Sequence, residues 1–261
     1  MTFAGTAEAI WEAVAPWLPG FSVEIVPELD STNSELMRRA RNGQCDPVLL
    51  VAERQTAGRG RLGRQWHSAT GDSSQTLTFS LGLALEPQQW SGLSLAAGLA
   101  IAQSLHPDLM LKWPNDIWWG QRKLAGILIE TASVGAQRYV VIGVGINITL
   151  PLASDLRTPA AGLRELLPET DPVQALQKCA LPLVRGVQRF AQYGWEPMQA
   201  AFHARDLLYG QEVQCSDGVT GVARGVDSQG ALLVHTAGGI RQISSAEVSV
   251  RALQTAAHNP N

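Results

Sequence analysis

Hydrophobic positions change period several times along this chain, and each change marks an element. The start, "MTFAGTAEAIWEAVAPWLPG", is amphipathic with Glu8 and Glu12 on its polar side and predicts a helix; "FSVEIVPEL" then alternates as a half-buried strand does. Within "DSTNSELMRRARNG", Leu36, Met37 and Ala40 share one helical face, Thr32 and Glu35 form a T-x-x-E capping box, and Gly43 follows as a C-cap. Strands are expected over 47–53 and 77–85, a helix over roughly 88–106, and a short strand at "LMLKW". "NDIWWGQRKLAGILIE" reads as a hairpin turning at Gly120, and "RYVVIGVGINI" as a long buried strand. The Pro-, Ser- and Thr-rich stretch 151–171 reads as loop, and 172–204 as helix interrupted at Gly194 and Pro197. Beyond Asp206, turn signals at "SDG", "DSQG" and "AGG" recur about every ten residues, which predicts a small β-barrel of about 45 residues. The expected fold is α+β with a mostly antiparallel sheet. It divides into a main domain over 1–204, the barrel over 205–253 and a tail over 254–261.

Composition narrows the functional classes. A chain of 261 residues, 45% hydrophobic, is long enough to bury a large core. A net charge of −3 argues against general nucleic-acid binding while leaving local patches open. Cys45, Cys179 and Cys215 are scattered without metal-ligand spacing, which points to a reducing compartment without a disulfide framework. The start has no basic n-region, and no run reaches the roughly 18 apolar residues of a membrane span. A cytoplasmic protein with no membrane partner is expected. Arginines number 17 and lysines only three, yet Lys112 and Lys123 both fall within 112–130.

The chemistry-bearing stretches are few. In "AGRGRLGRQW", Gly58, Gly60 and Gly63 satisfy G-x-G-x-x-G, but the residues that follow are turn and loop formers, so no helix N-terminus awaits a dinucleotide. Arg54, Arg59, Arg61 and Arg64 instead make a flexible, guanidinium-bearing clamp suited to carboxylate or phosphate. "KWPND" places Lys112, Asn115 and Asp116 at a strand end; alone, Asn115 and Asp116 would do no more than shape a turn. Lys123 opens an otherwise apolar strand, where an ammonium must snorkel or meet an anion, and Glu130 closes that strand facing either solvent or a metal. In "GVGINI", Asn147 is the one polar side chain of a buried run and needs a partner. There is no P-loop, H-E-x-x-H or G-x-S-x-G, and the histidines do not cluster. What remains is a phosphate-handling site built of Arg, Lys and backbone.

Taken in order, "DSTN", "ERQTAGRGRLGRQW", "KWPNDI", "RKLAGILIE" and "GVGIN" resemble the biotin protein ligase family. The similarity runs over about 24–251, since "RDLLYGQEV", "GVDSQGALLV" and "AEVSVR" resemble that family's C-terminal SH3-like barrel. The resemblance implies a class II synthetase-like catalytic domain followed by that barrel. It also implies two steps: biotin and ATP with Mg²⁺ give biotinyl-5′-AMP, and a lysine of a biotin carboxyl carrier protein or domain then attacks it. Carried over residue by residue, Lys123 and Arg61 are the catalytic pair. Ser31, Thr32, Asn33, Gln55, Arg59, Gly60, Arg61 and Lys123 would contact biotin, and Arg59, Arg61, Arg64, Lys112, Asn115, Asp116 and Asn147 the nucleotide. The metal ligands stay unassigned.

Two departures accompany the likeness. Ala69 stands where the family usually has proline, and "GDSSQT" runs about three residues long, so the 69–76 loop is expected to reshape one wall of the biotin site. Only about 20 residues precede the first strand, which fits the monofunctional form without an N-terminal winged helix and therefore without specific duplex-DNA binding. Lipoate attachment, a related acyl-adenylate transfer, would call for an Arg-Arg-x-Ser-Gly-Gly-Gly loop in place of "GRGRLGR". Arg61 and Lys123 speak against a homologue that only binds biotin or carrier. A homodimer through a sheet edge is a further possibility left open.

Overall fold

The computed structural model describes residues 3–66, 75–151, 158–244 and 250–253. Helix α1 (Phe3–Val14) leads into strand β1 (Ser22–Leu29), helix α2 (Thr32–Arg41) and strand β2 (Val48–Gln55). Strand β3 (Thr76–Ala84), helix α3 (Leu93–Leu105) and strands β4 (Met110–Lys112), β5 (Asp116–Trp119), β6 (Arg122–Val134) and β7 (Gln137–Asn147) follow. Helices α4 (Pro172–Tyr193) and α5 (Gln199–His203) then precede β8 (Glu212–Cys215), β9 (Thr220–Val226), β10 (Leu232–Thr236), β11 (Gly239–Ile243) and β12 (Val250–Ala252). Seven strands form one sheet in the order β1-β2-β3-β7-β6-β5-β4. Only β1 and β2 run parallel, because α2 crosses over between them. Among the described residues no helix is long and apolar enough to cross a membrane, and the three cysteines are free thiols.

The two faces of this sheet differ in chemistry, and the period of two explains how. On β3 the residues Leu77, Phe79, Leu81 and Leu83 point into the main core, as do Val140, Ile142, Val144 and Ile146 on β7. The intervening positions, Thr78, Ser80 and Gly82 with Gly143, Gly145 and Asn147, therefore share the opposite face with α2. Helix α2 covers one end of that face through Leu36, Met37 and Ala40, packed with Leu50, Tyr139 and Val141. Past the helix N-terminus the face stays open, floored by glycine and small polar residues.

The element boundaries depart from the sequence reading in four places. The cap of α2 is Ser31, whose Oγ accepts Ser34 N–H at 3.4 Å, one residue before the expected Thr32. Glu35 does not reach back to complete a box, because Arg38 at 2.7 Å and Arg39 at 2.9 Å hold its carboxylate. Helix α3 begins at Leu93, where Gly92 turns the chain at φ 90°. The described part of 151–171 is more than loop. Lys123 N–H donates to the Pro159 carbonyl at 2.8 Å and Ala161 N–H to the Lys123 carbonyl at 2.9 Å, so 159–161 adds a short parallel wall beside β6. The C-terminal strands form an antiparallel sheet in the order β11-β10-β9-β8-β12. Among the described residues β11 and β12 do not pair, so the expected closed barrel is instead an open sheet.

That sheet is anchored on the main core. The buried Trp113 donates its ring N–H to the Gly230 carbonyl at 3.0 Å, and Trp195 donates to the Asp227 carbonyl at 3.2 Å. A Cβ at Gly82 would lie 2.1 Å from the Tyr139 hydroxyl and 3.0 Å from Leu36, the contact that seats α2. Gly82→Ala is expected to cost about 1–3 kcal/mol in a urea melt, as overpacked cores do. Adding Tyr139→Phe should recover part of the loss; no recovery would show that α2 is not seated by this contact.

Candidate active site

The open end of the glycine-floored face is a cavity of about 650 Å³. Helix α2 presents Ser31, Thr32 and Asn33 to it, β2 ends at it with Gln55, and the β4–β5 turn contributes Lys112, Asn115 and Asp116. The strands β6 and β7 supply Lys123 and Asn147, and the glycine loop supplies Arg59, Gly60, Arg61 and Arg64. All thirteen site residues expected from the sequence thus line one cavity. Residues 67–74 lie outside the described part, and with them most of the altered 69–76 loop.

The inner end is neutral and tightly hydrogen-bonded. Gln55 Oε1 accepts the Thr32 N–H at 2.8 Å and lies 3.2 Å from Thr32 Oγ1. Ser80 Oγ stands 2.6 Å from Thr32 Oγ1 and 2.7 Å from Asn33 Oδ1. Asn33 Nδ2 donates to Glu130 at 2.9 Å. Thr32 does not cap its helix because its hydroxyl is engaged here. A Cβ at Gly143 would sit 2.1 Å from Asn33 Oδ1, and one at Gly145 would sit 2.3 Å from the Trp66 ring. "GVGIN" therefore carries its glycines to admit a buried amide and a flat aromatic wall.

The glycine loop folds as an arch. Gly60 N–H donates to Arg64 O at 2.7 Å, Trp66 N–H to Gly58 O at 2.9 Å, and Leu62 takes a left-handed φ of 57° at the tip. Arg59 pairs with Glu130 at 3.0 Å, and Arg61 reaches Asn115 Oδ1 at 3.5 Å. Burial lowers the Arg61 pKa, with Asp116 opposing and Arg64 reinforcing the shift.

The outer end is cationic. Arg59, Arg61, Arg64, Lys112, Lys123 and Arg251 line it against one carboxylate, Asp116. Lys123 Nζ lies 2.7 Å from Asp116 Oδ1, a charge contact whose angles fall short of a hydrogen bond. Lys112 rests 4.4 Å above the Trp118 ring. Burial depresses its pKa most, Asp116 raises it, and Lys123, Arg251 and Arg64 push it further down. Asn115 Nδ2 donates to Ile127 O at 2.8 Å, which pins the β4–β5 turn to β6. Asn147 Nδ2 bonds Ala161 O at 3.1 Å and Lys123 O at 3.4 Å, so its amino group holds the backbone that carries Lys123. No group of three His, Cys, Asp or Glu suited to a metal occurs among the described residues.

Several members of this site were not in the sequence reading. Ser80, Gly143 and Gly145 belong to the alternation that puts small residues on one face, a signal present in "LTFSLGLA" and "YVVIGVGIN", while Trp66 comes from the end of the glycine loop. Arg251 arrives from β12 and has no local signal at all.

Residues 27–147 match the biotin/lipoate A/B protein ligase family, and residues 209–251 match the biotin protein ligase C-terminal domain. The chain is 36% identical over 245 residues to the biotin–[acetyl-CoA-carboxylase] ligase of Mycobacterium tuberculosis, covering 87% of this chain and 88% of that protein. It is 32% identical over 247 residues to the bifunctional ligase/repressor BirA of Escherichia coli, covering 91% and 76%. Among solved structures, the biotin protein ligase of Aquifex aeolicus in complex with biotin and ATP aligns with a TM-score of 0.74 at 28% identity, over 88% of this chain and 99% of that one.

The depressed lysine yields a test that needs no substrate. An anion drawn among the cations raises the Lys112 pKa again, so binding takes up a proton between the free and bound values. Affinity is complete below the free value and is lost as pH rises through the bound one. Inorganic triphosphate, titrated calorimetrically from neutral pH toward the ordinary lysine value of about 10.4, should weaken more steeply for the wild type than for Lys112→Gln. Equal slopes would remove Lys112 from the anion site.

Proposed function

The chain belongs to the biotin protein ligase family, and on that footing we propose how its site works. It is an AMP-forming ligase that attaches biotin to protein using ATP. The observation that carries the residue assignments is the pairing of a neutral, hydrogen-bonding inner end with an outer end of six cations and one carboxylate. Biotinyl-5′-AMP has the matching polarity: a neutral ureido ring at one end and a phosphate at the other.

The ureido ring sits among Ser31, Thr32, Asn33 and Gln55, with Trp66 as the flat wall above Gly145. Lys123 leaves Asp116 for the biotin carboxylate, whose oxygen attacks the α-phosphorus of ATP as pyrophosphate departs. Arg59, Arg61, Arg64 and Lys112 face the phosphates and offset charge that builds on them in the transition state, with the Gly60 backbone holding the arch that presents them. Asn115 and Asp116 hold Arg61 and Lys123 in place, and Asn147 acts through the Lys123 backbone rather than on the nucleotide. Asp116 is the one carboxylate among the described residues that line the cavity, so a Mg²⁺ ion accompanying ATP would be held by it and by phosphate oxygens, and would supply further positive charge to the phosphates. The amine of the acceptor lysine then attacks the acyl carbon, AMP leaves, and Lys123 offsets charge on the tetrahedral oxyanion.

The acceptor we propose is a biotin carboxyl carrier domain such as that of acetyl-CoA carboxylase, the substrate in the names of two relatives. We propose that residues 1–204 form the catalytic domain and 205–253 an SH3-like barrel; the expected tail over 254–261 lies outside the described residues. The protein works in the cytoplasm, and self-association would use the outer edge of β1, because Leu111 of β4 already pairs through its backbone with Arg205 and Leu207.

One paired assay tests the two principal roles, by following biotin into the carrier and into an unrelated lysine-rich protein. A charged hydrogen bond contributes roughly 1.5–3 kcal/mol, so Lys123→Ala should slow pyrophosphate release at least about tenfold and label neither protein well. Arg61→Gly should raise escape of the adenylate roughly ten- to a hundredfold, so stray labelling rises while carrier labelling falls. Wild-type pyrophosphate release by Lys123→Ala would overturn the first role. Carrier labelling lost without stray labelling would reduce Arg61 to catalysis alone.

A further inference from the structure

Glu130 joins the two ends of the site. Its Oε1 pairs with Arg59 Nη2 at 3.0 Å, while its Oε2 accepts Asn33 Nδ2 at 2.9 Å. Beyond Asn33 the chain of contacts continues through Ser80 at 2.7 Å, to Thr32 at 2.6 Å and Gln55 at 3.2 Å. Five polar side chains thus connect the inner end to a cation of the glycine loop. Among the described residues the Arg59 guanidinium is otherwise in contact only with Ser34 Oγ, at 3.4 Å, so Glu130 is its main side-chain anchor.

The proton count along this chain is short by one. Thr32 and Ser80 own two hydroxyl protons between them, yet three contacts require one each: Thr32 to Gln55, Thr32 to Ser80, and Ser80 to Asn33. A ligand N–H arriving at Thr32 Oγ1 removes that oxygen's need for the Ser80 proton. Ser80 then donates to Asn33 Oδ1, which holds the amide with Nδ2 on Glu130. A carboxylate better satisfied by Asn33 holds Arg59 less tightly, and the guanidinium turns to phosphate at lower cost.

We infer that Glu130 is a positioning residue, acting through Arg59 and Asn33 to make biotin and nucleotide bind cooperatively. The inference rests on the placement of the ureido ring at Thr32 and Gln55 proposed above. Coupling between two ligands is reciprocal and commonly falls in the range of about 5- to 150-fold, and a chain of contacts is credited with it only when its links fail together.

The test measures biotin affinity with and without saturating α,β-methylene-ATP, a nucleotide that cannot release pyrophosphate by this route. The wild type should bind biotin about tenfold more tightly when the nucleotide is present. Glu130→Gln keeps an acceptor for Asn33 but loses the charge that holds Arg59, and should bring that factor to within about twofold of one while biotin still binds. Ser80→Ala breaks the chain at its middle and should do the same, and the double variant should lose no more than either single one. A full coupling factor in either variant, or additive losses in the double, overturns the inference, and Ser80→Ala decides alone if Glu130→Gln does not fold. Wild type that binds biotin without any coupling also overturns it, whereas wild type that binds no biotin overturns the reading of the site on which it rests.

Discussion

The 2.7 Å contact between Lys123 and Asp116 is the interaction on which the rest of the site turns. An ammonium at the start of an apolar strand is costly unless an anion meets it, and Asp116 supplies one from the neighbouring strand β5. Its Oδ1 is not satisfied in return, because among the described residues no hydrogen bond of good geometry reaches it. Five further cations line the same cavity. A protein with a net charge of −3 has concentrated positive charge where water is partly excluded and electrostatic interactions are strong. Such a cavity is under repulsion when empty and is relieved by a polyanion, which links its architecture to binding ATP.

The sheet makes this concentration possible by giving one face to bulk and the other to chemistry. Leu77, Phe79, Leu81 and Leu83 of β3 and Val140, Ile142, Val144 and Ile146 of β7 turn into the main core, leaving glycine, serine and threonine on the other side beyond the Tyr139 and Val141 that α2 covers. A buried amide and a tryptophan ring approach the backbone there more closely than any Cβ would permit. The same face carries the hydrogen-bonded row from Gln55 to Asn33, so shape and polarity for a small neutral ring come from one alternation in the strand sequences.

Much of this was legible in the sequence because it is local. The glycine-arginine loop, "KWPND" and Lys123 announce anion chemistry by composition and reach the cavity, except Arg54 of the expected clamp, which pairs with Glu28 at 2.6 Å instead. Asn147 was recognised as needing a partner and has two, although both are backbone carbonyls of the site wall. What escaped depends on distant segments. Thr32 looked like a cap, but Gln55 and Ser80 compete for its hydroxyl from 23 and 48 residues away. The segment 159–161 has a loop composition and becomes a wall only because Lys123 offers its backbone. Arg251 enters from the last described strand, and the two strands that would close the expected barrel, β11 and β12, do not pair among the described residues. Local pattern specifies elements and their chemistry, while proton-level assignments and inter-domain contributions depend on packing.

The most direct measurement is a crystal structure with biotin alone, without nucleotide. The account predicts a biotin carboxylate oxygen about 3 Å from Lys123 Nζ, the distance of a charge-assisted hydrogen bond, with Asp116 displaced or sharing the ammonium and the ureido ring against Thr32 and Gln55. Biotin bound with its carboxylate away from Lys123, and the 2.7 Å contact to Asp116 unchanged, would contradict it.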